Sequence, residues 1–244
     1  MIFDPYELNY SKINTYLNCP LLYKHIYVDR KRVPLTPLAS RGISLHKALA
    51  AYHAAGTLFD DLLACYDENW LGAGYGSSQE QMEHYLAGKR LLEDFWLLER
   101  DRKSLIYGVE KEFEFPHKKW KMKGTIDRID RHPSGEYEII DYKTGPELRG
   151  PAELSASLQL GIYCAGVRHA FGIEPARITW WFLAHSKRVS LACDPSGEER
   201  VLEQFSAAGE KIVSGDFAPR HEFCGECGLA EHCPGKRGGD LPNP

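Results

Sequence analysis

Residues 124–145 read GTIDRIDRHPSGEYEIIDYKTG, and the alternation in this stretch decides how the chain is read. Pro133, Ser134 and Gly135 supply a turn between two apolar-rich segments, which predicts two antiparallel strands, about 120–131 and 136–143. Side chains alternate faces along a strand, so Asp141 and Lys143 point the same way, two residues apart. If Arg131 faces Tyr137, Asp127 falls opposite Asp141, at the ~4.5–5.5 Å typical of cross-strand Cβ atoms. A slip of one residue would send Asp127 to the other face, so the register is a specific expectation.

Two facing carboxylates repel unless a positive charge lies between them, and carboxylate, carbonyl and water oxygens are the ligands that Mg²⁺ and Mn²⁺ prefer. Such an ion could polarise a phosphate and acidify a water, with Lys143 steadying the developing negative charge. The same residues could also form an exposed cross-strand salt bridge of little energetic worth. Spacing alone leaves both readings open.

Outward from this hairpin the chain has two textures. Residues 8–28 predict two short helices, with Ser11 as N-cap of the first and Pro20 at the first position of the second. Pro34 and Pro37 mark a loop. Residues 40–55, 58–70 and 79–101 carry apolar residues at helical spacing, interrupted at Gly56 and through Gly72–Ser78. From Leu105 short strands follow, at about 106–115, 120–131 and 136–143, as an antiparallel meander. A helix near 153–171, strands at 177–184 and 187–193, and a helix near 195–214 complete the regular structure. The tail after Phe217 is rich in Gly and Pro and needs something other than a core to order it.

The 244 residues, 43% hydrophobic and 26% charged, fit a globular chain with one sizeable core. The longest apolar runs fall far short of the roughly 18 residues of a membrane span, and the start Met1-Ile2-Phe3-Asp4 lacks the basic region of a signal peptide, so a cytoplasmic protein is expected. The net charge of −4 argues weakly against a nucleic-acid partner. Local basic clusters at Arg30-Lys31-Arg32 and through Lys118, Lys119, Lys121 and Lys123 run the other way, unless they are simply solvated faces.

Gly124-Thr125-Ile126-Asp127 followed by Asp141-Tyr142-Lys143-Thr144-Gly145 resembles the PD-(D/E)XK nuclease superfamily, in particular its RecB-like branch. The resemblance implies that Asp127 and Asp141 bind a catalytic Mg²⁺ or Mn²⁺, that Tyr142 lends a main-chain carbonyl to it, and that Lys143 assists catalysis. Thr125-Ile126 stands before Asp127 where the family name has Pro, and Asp141 replaces the commoner Glu. Gln159 and Tyr163, at i and i+4 on one helix face, match the family's QxxxY motif, which implies substrate contact. His46 matches its metal-binding histidine ahead of the sheet, and imidazole is an ordinary ligand for Mn²⁺. Glu110 matches a weaker acidic position in the first strand and is equally readable as solvated.

Seven cysteines are too unevenly spaced for an obvious disulfide framework. Cys65, Cys164 and Cys193 read as small buried hydrophobes. Cys224-x2-Cys227-x5-Cys233 ends the chain, and Cys19 lies near its start. Thiolate tetrads hold zinc or iron–sulfur clusters, and the one-plus-three spacing is unlike the paired spacing usual for zinc. RecB-like relatives, among them AddB nuclease domains and CRISPR adaptation nucleases, share this pattern, which implies a [4Fe–4S] cluster on these four residues.

The expectation is an α/β fold of restriction-endonuclease type, a mixed central sheet flanked by helices, with a helical N-terminal region and a C-terminal cluster segment. A single domain is expected over 1–244. It would comprise N-terminal helices (1–36), a helical region (37–104), a core of sheet and helix (105–194), and a terminal helix with the cluster tail (195–244). The function implied is a metal-dependent DNA exonuclease on single-stranded ends in repair or recombination. The rivals are a CRISPR adaptation nuclease and a noncatalytic iron–sulfur scaffold that binds DNA ends. No G-x4-GK[ST] loop is present, so any helicase would be a separate partner, as would a CRISPR integrase.

Overall fold

Local chemistry fixes most element ends. The computed structural model describes residues 4–230, 233 and 235. Residues 1–3, on which the reading of the chain's start rests, and tail positions 231, 232, 234 and 236–244 lie outside it. β1 (Glu7–Asn9) runs into α1 (Tyr10–Asn18), and Asn9, not Ser11, caps this helix by accepting the Lys12 N–H at 2.9 Å. Ser11 lies inside α1, where its carbonyl accepts from Thr15 Oγ1. Pro20 opens α2 (Pro20–Tyr23), which continues into a π turn at Lys24–Val28. Pro37 opens a helix instead of marking a loop: Thr36 caps α3 (Pro37–Ala55), and proline at its first position loses no hydrogen bond.

Next come α4 (Phe59–Glu68) and α5 (Ser78–Glu99), then β2 (Leu105–His117), β3 (Trp120–Arg131) and β4 (Tyr137–Lys143). The helix predicted over 153–171 is two, α6 (Pro151–Ser155) and α7 (Leu158–Phe171), because Ser157 leaves the helix to cap the second. Gly172, at φ 64°, ends α7 in the left-handed conformation that favours glycine. β5 (Pro175–Phe182), β6 (Lys187–Ala192) and α8 (Glu198–Val213) follow. No helix of the described residues is long and apolar enough to cross a membrane.

The strands are ordered β1-β3-β4-β5-β6, and β2 also pairs with β3. Pairing is parallel for β1–β3 and β4–β5 and antiparallel for β3–β4 and β5–β6, which makes a mixed sheet. Arg131 faces Tyr137 as the sequence predicts, and the regular ladder ends at Arg128↔Ile140, one step before Asp127 and Asp141.

Contacts divide the chain into two compact units. One comprises Met1–Pro34, Glu114–Gly124 and Ser196–Pro244. In it β1 pairs with the first half of β3, and α8 buries Val201, Leu202, Phe205, Ala208 and Ile212 at helical spacing. The lysines of the 118–123 run are engaged by carboxylates: Lys118 by Glu203, Lys119 by Glu210 at 2.8 Å, and Lys123 by Glu7 and Glu114 at 3.0 and 3.2 Å. Of the two basic clusters, the 118–123 run is therefore largely neutralised within the chain.

The other unit comprises Leu35–Phe113 and Thr125–Pro195. Ile140 and Tyr142 of β4, with Trp181 of β5, pack on Leu45, Leu49, Tyr52, Leu62, Tyr66, Leu92 and Phe95 from α3, α4 and α5. Alternation turns Asp141 and Lys143 to the opposite face, where α7 meets them through Gln159. Cys164 of α7 and Cys193 beyond β6 form a disulfide with Cα atoms 6.5 Å apart, whereas the sequence predicts two separate buried thiols. Cys65 is free and half-buried. The pairing depends on α7 lying beside β5 and β6, which spacing cannot reveal.

Candidate active site

His46, Glu110, Asp127, Asp141, Tyr142, Lys143, Gln159 and Tyr163 all lie in the second unit. Asp127 Oδ2 accepts the Tyr142 N–H at 2.8 Å and lies 3.3 Å from Nδ1 of His46 on α3. Burial works against a charge on His46, but the Asp127 carboxylate outweighs it and leaves the imidazole pKa above its ordinary value.

On β4, Lys143 Nζ lies 2.5 Å from Asp141 Oδ2 and donates to Gln159 Oε1 at 2.7 Å. Gln159 Nε2 in turn donates to Asp141 Oδ1 at 2.9 Å and to the Tyr163 hydroxyl at 3.0 Å. The amide of Gln159 thus fits between acid and lysine, with donor and acceptor each facing its complement. Burial pushes the Asp141 carboxyl up to about 6; Lys143 opposes that rise and Asp127 reinforces it. Tyr163 is also raised, by burial first and by Asp141 second.

Glu110 joins this set more closely than the sequence indicates. Ligand atoms of His46, Glu110 and Asp127 all lie within 4.8 Å of one another. Glu110 has φ 45°, a conformation unfavourable for a residue with a side chain, in the middle of β2. Partial desolvation of its carboxyl, and then the charge of Asp127, push its pKa up. Two carboxylates and an imidazole at this spacing are a donor set suited to Mg²⁺ or Mn²⁺, and the crowding of Glu110 on Asp127 is the kind of repulsion that a cation relieves. The residues present therefore fit a divalent ion.

Beneath Tyr142 lies a polar group that no sequence motif marks. Arg128, fully buried, bonds Asp130 through Nε at 2.6 Å and Glu99 through Nη2 at 2.7 Å, and donates to the Tyr142 hydroxyl at 3.2 Å. His53 Nε2 lies 2.9 Å from the same hydroxyl. Period-two alternation offers the one available signal: Arg128 and Asp130 share the face opposite Asp127, so this charged strand is buried on both sides.

In the first unit, Cys19, Cys224, Cys227 and Cys233 line one pocket, together with Leu22, His25 and Phe223. Burial, then the neighbouring sulfurs of Cys233, Cys227 and Cys19, push the Cys224 thiol pKa up. The Arg220 N–H reaches Cys19 Sγ at 3.5 Å. The four cysteines thus share one pocket, with a backbone N–H on the sulfur of one of them.

Comparison with known proteins agrees with the fold. The sequence profile of the PD-(D/E)XK nuclease superfamily matches residues 7–234. The Gene 69 protein of Mycobacterium phage D29 is 24% identical over 262 residues, covering 92% of this chain and 95% of its own. A crystal structure from Eubacterium rectale, whose name carries the word exonuclease, superposes with a TM-score of 0.59 at 14% identity, over 98% of this chain and 91% of that one.

Proposed function

The chain belongs to the PD-(D/E)XK nuclease superfamily, and from that premise we propose that it is a RecB-like deoxyribonuclease, dependent on a divalent metal, that hydrolyses single-stranded DNA from an end. The observation that carries the reading is the convergence of His46, Glu110 and Asp127 beside an Asp141–Lys143 pair clasped by Gln159. His46, Asp127, Asp141 and the Tyr142 carbonyl would hold the ion, and Glu110 would add a carboxylate to that set. When bound, a Mg²⁺ or Mn²⁺ ion polarises the scissile phosphate and acidifies a water. Lys143 supplies a fixed positive charge for the negative charge that develops on phosphate oxygen. Gln159 keeps the ammonium aimed, and Tyr163 keeps Gln159 aimed. Tyr142 ties Asp127 in place through its N–H, while its ring and hydroxyl are fixed from below by Arg128 and His53.

In this reading Cys19, Cys224, Cys227 and Cys233 ligate a [4Fe–4S] cluster, which orders a tail too polar to pack unaided. Their common pocket supports it. The cluster is structural, and strand separation would come from a separate helicase.

The test is degradation of end-labelled single- and double-stranded DNA by anaerobically purified protein with Mn²⁺. Lys143→Ala and Asp127→Ala should each lower the rate at least about a hundredfold. Absence of cleavage by cluster-loaded wild type in Mg²⁺ and in Mn²⁺ would overturn the reading. Iron and acid-labile sulfide in equal amounts would identify the cluster; zinc in their place would refute it.

A further inference from the structure

On α3, Leu38, Ile43 and Lys47 belong neither to the core nor to the metal set. Leu38, Gly42, Ile43, His46 and Lys47 line one side of a cleft of about 790 Å³, and Glu110 and Thr144 line the other. Leu38 is 49% exposed and Ile43 38% exposed, large apolar surfaces left in water beside residues that share the candidate metal set. At Gly42 the backbone itself forms the wall: a Cβ there would come within 2.8 Å of Thr144 Oγ1, next in the chain to Lys143.

The cleft is continuous with the metal set through His46 and Glu110, so the substrate of the proposed reaction must enter here. Its size lies in the range of about 300–1,000 Å³ that holds a small ligand, a nucleotide or two rather than a turn of duplex. Duplex binding draws on many cations along two phosphate tracks, yet Lys47 is the one lysine or arginine among the residues lining this cleft. Unpaired bases present apolar faces, and leucine and isoleucine are side chains that proteins wedge against unstacked bases.

We propose that Leu38 and Ile43 form an apolar platform for the unpaired bases beside the scissile phosphate, with Lys47 holding an adjacent phosphate, and that this platform sets the preference for single-stranded DNA. The proposal rests on the nuclease reading and adds residues that carry its specificity.

The test measures binding, with Ca²⁺ in place of Mn²⁺, of the full chain to a fluorescein-labelled oligothymidylate and to a duplex of equal length. Ile43→Ser and Leu38→Ser should each weaken binding of the single strand about fivefold or more and leave duplex affinity nearly unchanged. Lys47→Ala should lower the salt dependence of single-strand binding by about one unit of slope. Both apolar side chains are exposed, so unchanged circular dichroism and melting temperature serve as the folding control. Equal losses on strand and duplex, or no loss on either, overturn the platform. If wild type cleaves DNA in Mn²⁺ while these variants bind normally, the platform falls and the nuclease reading stands. If wild type neither binds nor cleaves, both fall.

Discussion

Gln159 Oε1 accepts a hydrogen bond from Lys143 Nζ at 2.7 Å, while the other end of the same amide donates to Asp141 Oδ1 at 2.9 Å. A helix side chain therefore sets the aim of the β4 lysine. Gln159→Leu removes both contacts and frees Lys143 to pair with Asp141 alone. We expect the cleavage rate to fall about ten- to a hundredfold, since misplacement of a catalytic group by about an ångström costs that much. Mn²⁺ affinity, measured by calorimetry, should change far less than in Asp127→Ala. Equal losses of metal affinity in the two variants would assign Gln159 to the metal site instead.

Gly42→Ala tests the closeness of α3 to the strand end. The new methyl would meet Thr144 Oγ1 at 2.8 Å, closer than carbon contacts allow, so helix or strand must give. Because α3 also carries His46, the shift would open the 3.3 Å approach of His46 to Asp127. Expected is a loss of activity of about tenfold or more, with a melting temperature lowered by a few degrees. Thr144→Ala, made in the same background, should restore part of the loss.

Much of this site was legible because period two is rigid. Once Pro133-Ser134-Gly135 was read as a turn, the register and the shared face of Asp141 and Lys143 followed from strand geometry, and Arg131 does face Tyr137. What was not legible depends on long-range packing. Glu110 gathers with His46 and Asp127 only because β2 turns through a left-handed residue, and the Cys164–Cys193 disulfide exists only because two elements meet. β1 is three residues long, too short for alternation to show, and Asn9 took the cap expected of Ser11 because that strand ends there. Arg128 and Asp130 carry no motif, and only burial with Glu99 makes them a compensated group.

That group yields a stability prediction. Arg128→Met leaves Asp130 buried without its guanidinium, while Glu99 keeps Arg102 at 2.5 Å and Arg188 at 3.0 Å, and breaking a buried pair from one side costs about 3–5 kcal/mol. Urea unfolding should show that loss, and metal-free protein should show it too. Replacing Asp130 by Asn in the Arg128→Met background should recover much of it, because the uncompensated charge is then gone. A loss below about 1 kcal/mol would mean that water reaches the site and screens it.

His53 makes stability depend on pH in a direction that can be worked out. Burial first, then the charges of Arg128 and Arg102, push its pKa down from 6.5 to about 3, and the neutral ring accepts from the Tyr142 hydroxyl. The unfolded chain binds a proton at His53 below about 6.5 and the folded one only near 3, so the unfolded state gains protons across that window. Stability from this residue is complete above pH 6.5 and is lost as pH falls towards 3, at up to about 1.4 kcal/mol per pH unit. Asp141 acts the other way: its folded pKa of about 6 lies above the ordinary carboxylate value, so its protonation favours the fold as pH falls from 6 towards 4. Comparing wild type with His53→Gln removes that opposing contribution, because Asp141 is present in both. The glutamine keeps an acceptor for Tyr142 and cannot take up the proton. Urea unfolding followed by tryptophan fluorescence, from pH 8 to pH 4 without metal, should show His53→Gln gaining about 3 kcal/mol on wild type by pH 4. A difference that stays flat over that range would mean that His53 is not held neutral beside Arg128.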